Sequence, residues 1–417
     1  MFDQLFSRPR AVQQYLSAPL LEPRLRYLQH CAAQGATSAT LRTVALYQRA
    51  LCGSLDLEAA SLVRLEQIEA AATDWIARTP ASHAHKTGHA SKTVFVSIAR
   101  GWLGFLNRLE QVEKAELPCR GFIADFREYM QSERGLSPTT VYTRCLRVEE
   151  FLARYCADPG ALGQMTMVQI DAAIAEKGVR DRCTRASIRT YAYVLRSFFR
   201  YAETRGWCGR GLAAGIVSPR VYTGESLPAG PTWAQVQRLC ASAEGDAPSQ
   251  VRDRAILLLL VVYGLRVGEV RRLRLDDVDW DAETIRITRS KQQRRIQIYP
   301  LAGVVGDALL RYLKTARPRR AAREVFLSLK APIRPLGNSA FWQIVNRRLR
   351  PMGLSLAHHG PHVLRHACAT HLLSQGLPLK EIGDHLGHRN PAATRVYAKV
   401  DLVGLRQVAD FSLEGLV

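Results

Sequence analysis

The stretch 360–400 reads GPHVLRHACATHLLSQGLPLKEIGDHLGHRNPAATRVYAKV and gathers groups suited to work on a phosphodiester. His362 and Arg365 stand three apart at the start of an apolar-periodic run, so on a helix they share one face. A Gly-Leu-Pro break leads to a short helix with Leu379, Ile382 and Leu386 on its buried side. That helix ends at Gly387 in the manner of a glycine C-cap, with His388 beside it. Asn390-Pro391 reads as an N-cap followed by proline at the first helical position, and the third helix carries Tyr397. In such a set the cations can hold phosphate oxygens and the phenol can attack the phosphorus.

The pattern H-x-x-R, then L-G-H, then a tyrosine nine positions beyond that histidine resembles the catalytic boxes of the tyrosine recombinases, the phage-integrase family. Two further parts of the family pattern are present upstream. Residues 264–269 read GLRVGE and supply Arg266 and Glu269. Ile285 and Ile287, then Ile296 and Ile298, alternate as two strands of a hairpin do, with Lys291 in the turn between them. The resemblance extends from roughly residue 121 to the end of the chain.

The resemblance implies a role for each position. Arg266 and Arg365 would hold the nonbridging oxygens, since a guanidinium fork reaches two oxygens and stays charged at any working pH. Glu269 would orient Arg266. Lys291 would protonate the leaving 5′ oxygen, and His362 and His388 would hydrogen-bond the phosphate and assist proton transfer. Tyr397 would form a 3′-phosphotyrosyl bond that conserves phosphodiester energy, so rejoining needs no ATP. With cations and a proton donor supplied by side chains, neither metal nor cofactor is expected. His366, His371 and His385 match nothing in the family pattern and are expected to be structural.

Three rival functions remain open. Type IB topoisomerases resemble the same site but generally carry lysine where His362 stands and act as monomers. A metallohydrolase could use His362 and His366, four apart on a helix, but no glutamate lies between them as a metalloprotease requires. A DNA-binding protein without catalysis would leave the constellation without a use.

The rest of the chain must position this site on DNA. Lys and Arg number 58 against 37 Asp and Glu, a formal net charge of +21, which favours a polyanionic partner. Nine cysteines without a C-x-x-C pair read as thiols of a reducing cytoplasm. The N-terminus lacks a signal design, and the longest apolar run, 255–265, is too short to span a bilayer. A cytoplasmic, nucleoid-associated protein of the kind carried by bacterial mobile elements is expected, acting as integrase, resolvase or transposase.

The expected fold is mainly α with a small β-hairpin in the catalytic domain. The expected divisions are an N-terminal helical domain at 1–112, a SAM-like core-binding domain at 113–214, a linker at 215–231 and a catalytic domain at 232–400. Residues 401–417 form a tail whose Leu402, Leu405, Val408 and Phe411 recur about one helical turn apart. In the family that segment docks on a neighbouring protomer, which implies a homotetramer on two double-stranded DNA sites, with or without accessory proteins. On a helix from about Thr184 to Arg205, the side chains of Arg185, Arg189, Arg196 and Arg200 fall within about 60° of arc and are expected to track a DNA backbone. Residues 25–41 echo 126–141 (a tyrosine-bearing helix, a glycine, a Ser/Thr-rich restart), so 1–112 reads as a diverged second copy of the core-binding unit. His83, His85 and His89 lie in a polar loop and are not expected to hold a metal.

Overall fold

The computed structural model describes residues 1–57, 62–78, 92–110, 119–222, 230–289, 295–354, 356, 358–388 and 390–398. The chain divides into two compact units. One is Gln111–Ser226, and the other combines Met1–Glu110 with the segment from Leu227 onward. Helices dominate, and the sheet among the described residues is three-stranded and antiparallel, in the order β1-β2-β3. Among the described residues no helix is long and apolar enough to cross a membrane.

In the unit Gln111–Ser226, polar caps start the helices where the sequence places Ser and Thr. Ser137 accepts the Thr140 N–H at 3.3 Å and precedes the helix Pro138–Tyr155. Thr166 and Gln169 form a capping box at the head of Met167–Arg180, and Thr184 caps Arg185–Thr204. Phe126, Phe151, Phe198 and Phe199 fill the centre, with Phe151 and Phe199 edge to face at 5.6 Å. The expected arginine face is only partly a surface feature. Arg185, Arg189 and Arg200 are exposed, whereas Arg196 is half-buried and donates to the Ile216 carbonyl and to Ser218 Oγ at 3.0 Å. The helical wheel put four arginines on one arc, but it could not include the returning chain at 216–218 that occupies one of them.

The residues before Glu110 follow the same local pattern. The helices Leu21–Ala33 and Ser38–Ser54 are joined through Gly35 at φ 92°, and Arg120–Ser132 and Pro138–Tyr155 through Gly135 at φ 56°. Thr37 accepts from the Thr40 N–H at 3.3 Å just as Ser137 does from Thr140. Both hairpins then pack on a later aromatic helix, Lys92–Phe105 in one case and Arg185–Thr204 in the other. Leu28, Leu51, Phe95 and Trp102 are wholly buried here.

In the C-terminal part, the apolar helix Pro248–Val262 runs through the core against Leu309, Tyr312, Phe341 and Leu364. Its Asp253 is fully buried and gripped by Arg252, Arg347 and Arg348 at 2.7, 3.0 and 2.8 Å. That cluster ties the helix to Asn338–Leu349. The sheet comprises β1 (Val278–Asp279), β2 (Thr284–Arg289) and β3 (Arg295–Pro300).

The alternation expected of the hairpin holds on β2, where Ile285 and Ile287 are buried, but has the opposite phase on β3. Ile296 and Ile298 are exposed, while Gln297 and Tyr299 pair with Ile287 and Ile285. A period of two gives alternation without saying which face is inside. Here polar residues turn inward because Arg289, continuing the buried face of β2, needs partners. The turn with Lys291, the tail 401–417, the histidines at 83, 85 and 89, and linker residues 223–229 lie outside the described residues.

Candidate active site

The site is organised around the end of the short helix Leu379–Leu386. The last carbonyls of a helix have no partner within it and carry its negative end. Here three in succession each receive a different guanidinium. The His385 carbonyl accepts from Arg289 at 3.0 Å, Leu386 from Arg365 at 2.6 Å, and Gly387 from Arg266 at 3.5 Å. Gly387 adopts φ 64°, and a Cβ there would stand 2.6 Å from Arg289 Nε, so both the turn and the arginine exclude a side chain.

Each arginine has a second anchor. Arg266 immediately precedes the helix Val267–Arg272, where Glu269 accepts its backbone N–H at 2.8 Å and its Nη1 at 3.1 Å. Glu269 Oε2, the oxygen that takes that backbone N–H, also pairs with Arg289 Nη1 at 2.7 Å, both side chains being buried. Arg289 also donates to Gln297 Oε1 at 3.0 Å and to the Tyr299 hydroxyl. Arg365 donates to the Gly264 carbonyl at 2.6 Å. Gly264 is itself held at φ 55° against Leu386, where a Cβ would meet Leu386 Cδ2 at 2.4 Å. Three guanidiniums thus surround one carboxylate. Burial first, then repulsion from Arg266, lowers Arg365 to about 10, with Arg289 adding to the repulsion. Such a cradle is short of negative charge by design of its residues, and an anion placed on it relieves that shortage.

The Tyr397 phenol lies beside this cradle. Tyr397, on the helix Ala392–Ala398 entered through the Asn390 cap, is buried among Cys368, Ala369, Ile382 and Leu386. Burial raises its pKa, while Arg365 and then Arg266 pull it back down, so both arginines are close enough to act on the phenol. His388 stacks near it, ring centroids 6.4 Å apart, and its Nδ1 is 2.6 Å from Thr394 Oγ1. Burial, then the charges of Arg365, Arg266 and Arg289, lowers His388 to about 4, so its imidazole is neutral at pH 7. In the tautomer whose Nδ1 accepts from the Thr394 hydroxyl, Nε2–H is a donor for an anion. His362 opens the helix His362–Ser374 and is exposed.

The structure therefore brings together Arg266, Glu269, His362, Arg365, His388 and Tyr397, while Lys291 falls outside the described residues. Of the three histidines expected to be structural, two make packing or backbone contacts. His371 stacks on Trp233 at 3.7 Å, and His385 Nε2 faces the Val262 carbonyl at 3.3 Å. The third, His366, places Nδ1 3.0 Å from the Tyr397 hydroxyl, a contact that sequence spacing could not reveal across 31 residues. Arg289, which the sequence offers only as a cation near Lys291, belongs instead to the buried face, and its phase with Ile285 and Ile287 was the available signal. Among the described residues no cluster of three or more His, Cys, Asp or Glu side chains could hold a metal ion.

Comparison with known proteins agrees with this geometry. Residues 232–402 match the phage integrase family. The integrase/recombinase y4rA of Sinorhizobium fredii is 38% identical over 288 residues, covering 68% of this chain and 69% of the relative. The tyrosine recombinase XerD of Listeria monocytogenes serotype 4b is 31% identical over 294 residues, 69% of this chain and 96% of the relative. Two crystal structures share the fold. XerH bound to its palindromic difH substrate aligns at a TM-score of 0.53 with 18% identity, covering 69% of this chain and 84% of that one. A lambda integrase (75–356) dimer bound to a COC′ core site aligns at 0.52 with 18% identity, covering 67% and 94%. The chain belongs to the phage integrase family, the tyrosine recombinases.

Proposed function

We propose that this protein is a site-specific DNA recombinase that cuts and rejoins double-stranded DNA through a 3′-phosphotyrosyl intermediate on Tyr397. The observation that carries the proposal is the charge balance around that phenol: three guanidiniums against one carboxylate, at the end of a helix whose carbonyls fix their directions. A scissile phosphate supplies the missing negative charge. Arg266 and Arg365 hold its nonbridging oxygens, and each such preorganised donor is worth about 10²–10³ in rate. His388 donates through Nε2, His362 reaches the phosphate from the exposed start of its helix, and Lys291 protonates the departing 5′ oxygen. Glu269 keeps Arg266 in place. Because the phosphotyrosyl bond retains the energy of the diester, a 5′ hydroxyl from another strand reverses the step, and exchange follows.

The same proposal assigns the surroundings. The unit Gln111–Ser226 grips DNA through the exposed Arg185, Arg189 and Arg200, and residues 1–110 form a second, diverged unit of the same kind, supported by the matching Thr37 and Ser137 caps. The tail 401–417 docks on a neighbouring protomer to build a tetramer on two sites, in a cytoplasmic setting with the nucleoid. Mixing the protein with nicked half-site DNA from its own genomic flanks, in excess chelator, tests this. A denaturation-resistant protein–DNA adduct is the expected result, and free DNA ends overturn the proposal.

A further inference from the structure

We infer that His366 accepts the proton of the Tyr397 hydroxyl when the phenol attacks, a role distinct from those of His362 and His388. The inference rests on the recombinase function proposed above. Its geometry is direct, since His366 Nδ1 lies 3.0 Å from Tyr397 Oη within a largely buried pocket. A phenol with a pKa raised by burial is a poor nucleophile at neutral pH unless something takes its proton as the bond forms.

The groups facing His366 leave it free to do so. On its own helix, His362 packs edge-on at a centroid distance of 4.4 Å, and Arg365 adds positive charge. From the helix Ala392–Ala398 comes Tyr397, with His388 beyond its ring. Gly230 lies close against this helix, where an added Cβ would come within 3.4 Å of His366 Cβ. Among the described residues no carboxylate contributes to its electrostatics. Burial first, then His362 and Arg365, lowers its pKa to about 4, so the ring is neutral at working pH and, as the Nε2–H tautomer, offers a lone pair at Nδ1. The neighbouring imidazole of His388 has its Nδ1 engaged with the Thr394 hydroxyl rather than with Tyr397.

The step balances without a further reagent. Tyr397 Oη bonds to phosphorus as its proton passes to His366 Nδ1. The P–O5′ bond breaks and that oxygen takes a proton from the acid on the leaving side. In rejoining, the imidazolium returns its proton to the departing phenolate.

Single-turnover cleavage of a nicked half-site by His366→Ala, His366→Gln and wild type tests the inference, with folding of each variant checked by its melting transition. Both variants are expected to cleave about 100-fold more slowly. Free imidazole is expected to restore the alanine variant in proportion to the neutral imidazole present, and more basic imidazoles to restore it further. Wild-type rates in His366→Ala overturn the inference, as does full activity in His366→Gln, which can hold the hydroxyl but cannot take a proton. A loss that no imidazole restores overturns it too. Failure of the recombinase function is distinguishable, because wild type itself would then form no adduct.

Discussion

Glu269 and Arg289 form a fully buried ion pair at 2.7 Å that connects the strand leading to Lys291 with the helix that follows Arg266. Taking two charges out of water is costly, and the pair survives because each partner is further bonded: Glu269 to Arg266, and Arg289 to Gln297, Tyr299 and the His385 carbonyl. Glu269→Ala is expected to destabilise the protein by about 3–5 kcal/mol in chemical denaturation, since it leaves the buried Arg289 and the half-buried Arg266 without their counter-charge. Arg289→Lys is expected to lose most of that amount as well, because a single ammonium cannot reach four acceptors. A loss below about 0.5 kcal/mol, the usual effect of a surface change, would contradict this account of Glu269.

The buried histidines make stability depend on pH in a defined direction. Folded, His366 and His388 titrate near 4, whereas free imidazole titrates near 6.5. Between those values the unfolded chain binds more protons than the folded one, so stability rises with pH through that window. The DNA-free protein is therefore expected to lose melting temperature as pH falls from about 7 toward 4. A His366→Gln/His388→Asn double variant should show a flatter slope, and an unchanged slope would contradict the assigned protonation states.

Much of the site was legible in the sequence because its chemistry is carried by short local patterns. The caps at Ser137, Thr184 and Asn390, the left-handed Gly387 and the sharing of Glu269 with Arg266 are all consequences of residues within a few positions of one another. What escaped depends on distant parts of the chain meeting. His366 touches Tyr397 across 31 residues, and Arg289 reaches the His385 carbonyl across 96. The phase of β3 was set by the needs of a buried guanidinium rather than by its own isoleucines, and Arg196 was claimed by a carbonyl at 216. Local periodicity states which residues share a face, while the neighbours of that face come from packing.

The exposed and half-buried arginines of the helix Arg185–Thr204 should separate experimentally. Arg189→Ala and Arg200→Ala are each expected to reduce the slope of log affinity against log salt by about 0.9, the signature of one lost phosphate contact. Arg196→Ala is expected to lower the melting temperature instead, as it leaves the Ile216 carbonyl and Ser218 without their donor. Equal salt-slope effects from all three would contradict the placement of Arg196.

Asp253 offers a stability test away from the site. It is wholly buried and ion-paired with Arg252, Arg347 and Arg348. Asp253→Ala is expected to cost about 3–5 kcal/mol by urea titration, and an apolar change in a free surface group would cost far less.

The central claim is that a phenol near the C-terminus becomes bonded to DNA beside a cluster of arginines. The most direct measurement isolates the covalent species formed on a nicked half-site, digests it with protease, and identifies by mass spectrometry which residue carries the nucleotide and through which end. The account predicts a 3′-phosphate ester on Tyr397 and no adduct in Tyr397→Phe. A nucleotide on any other side chain, a 5′ linkage, or an undiminished adduct in the phenylalanine variant would contradict it.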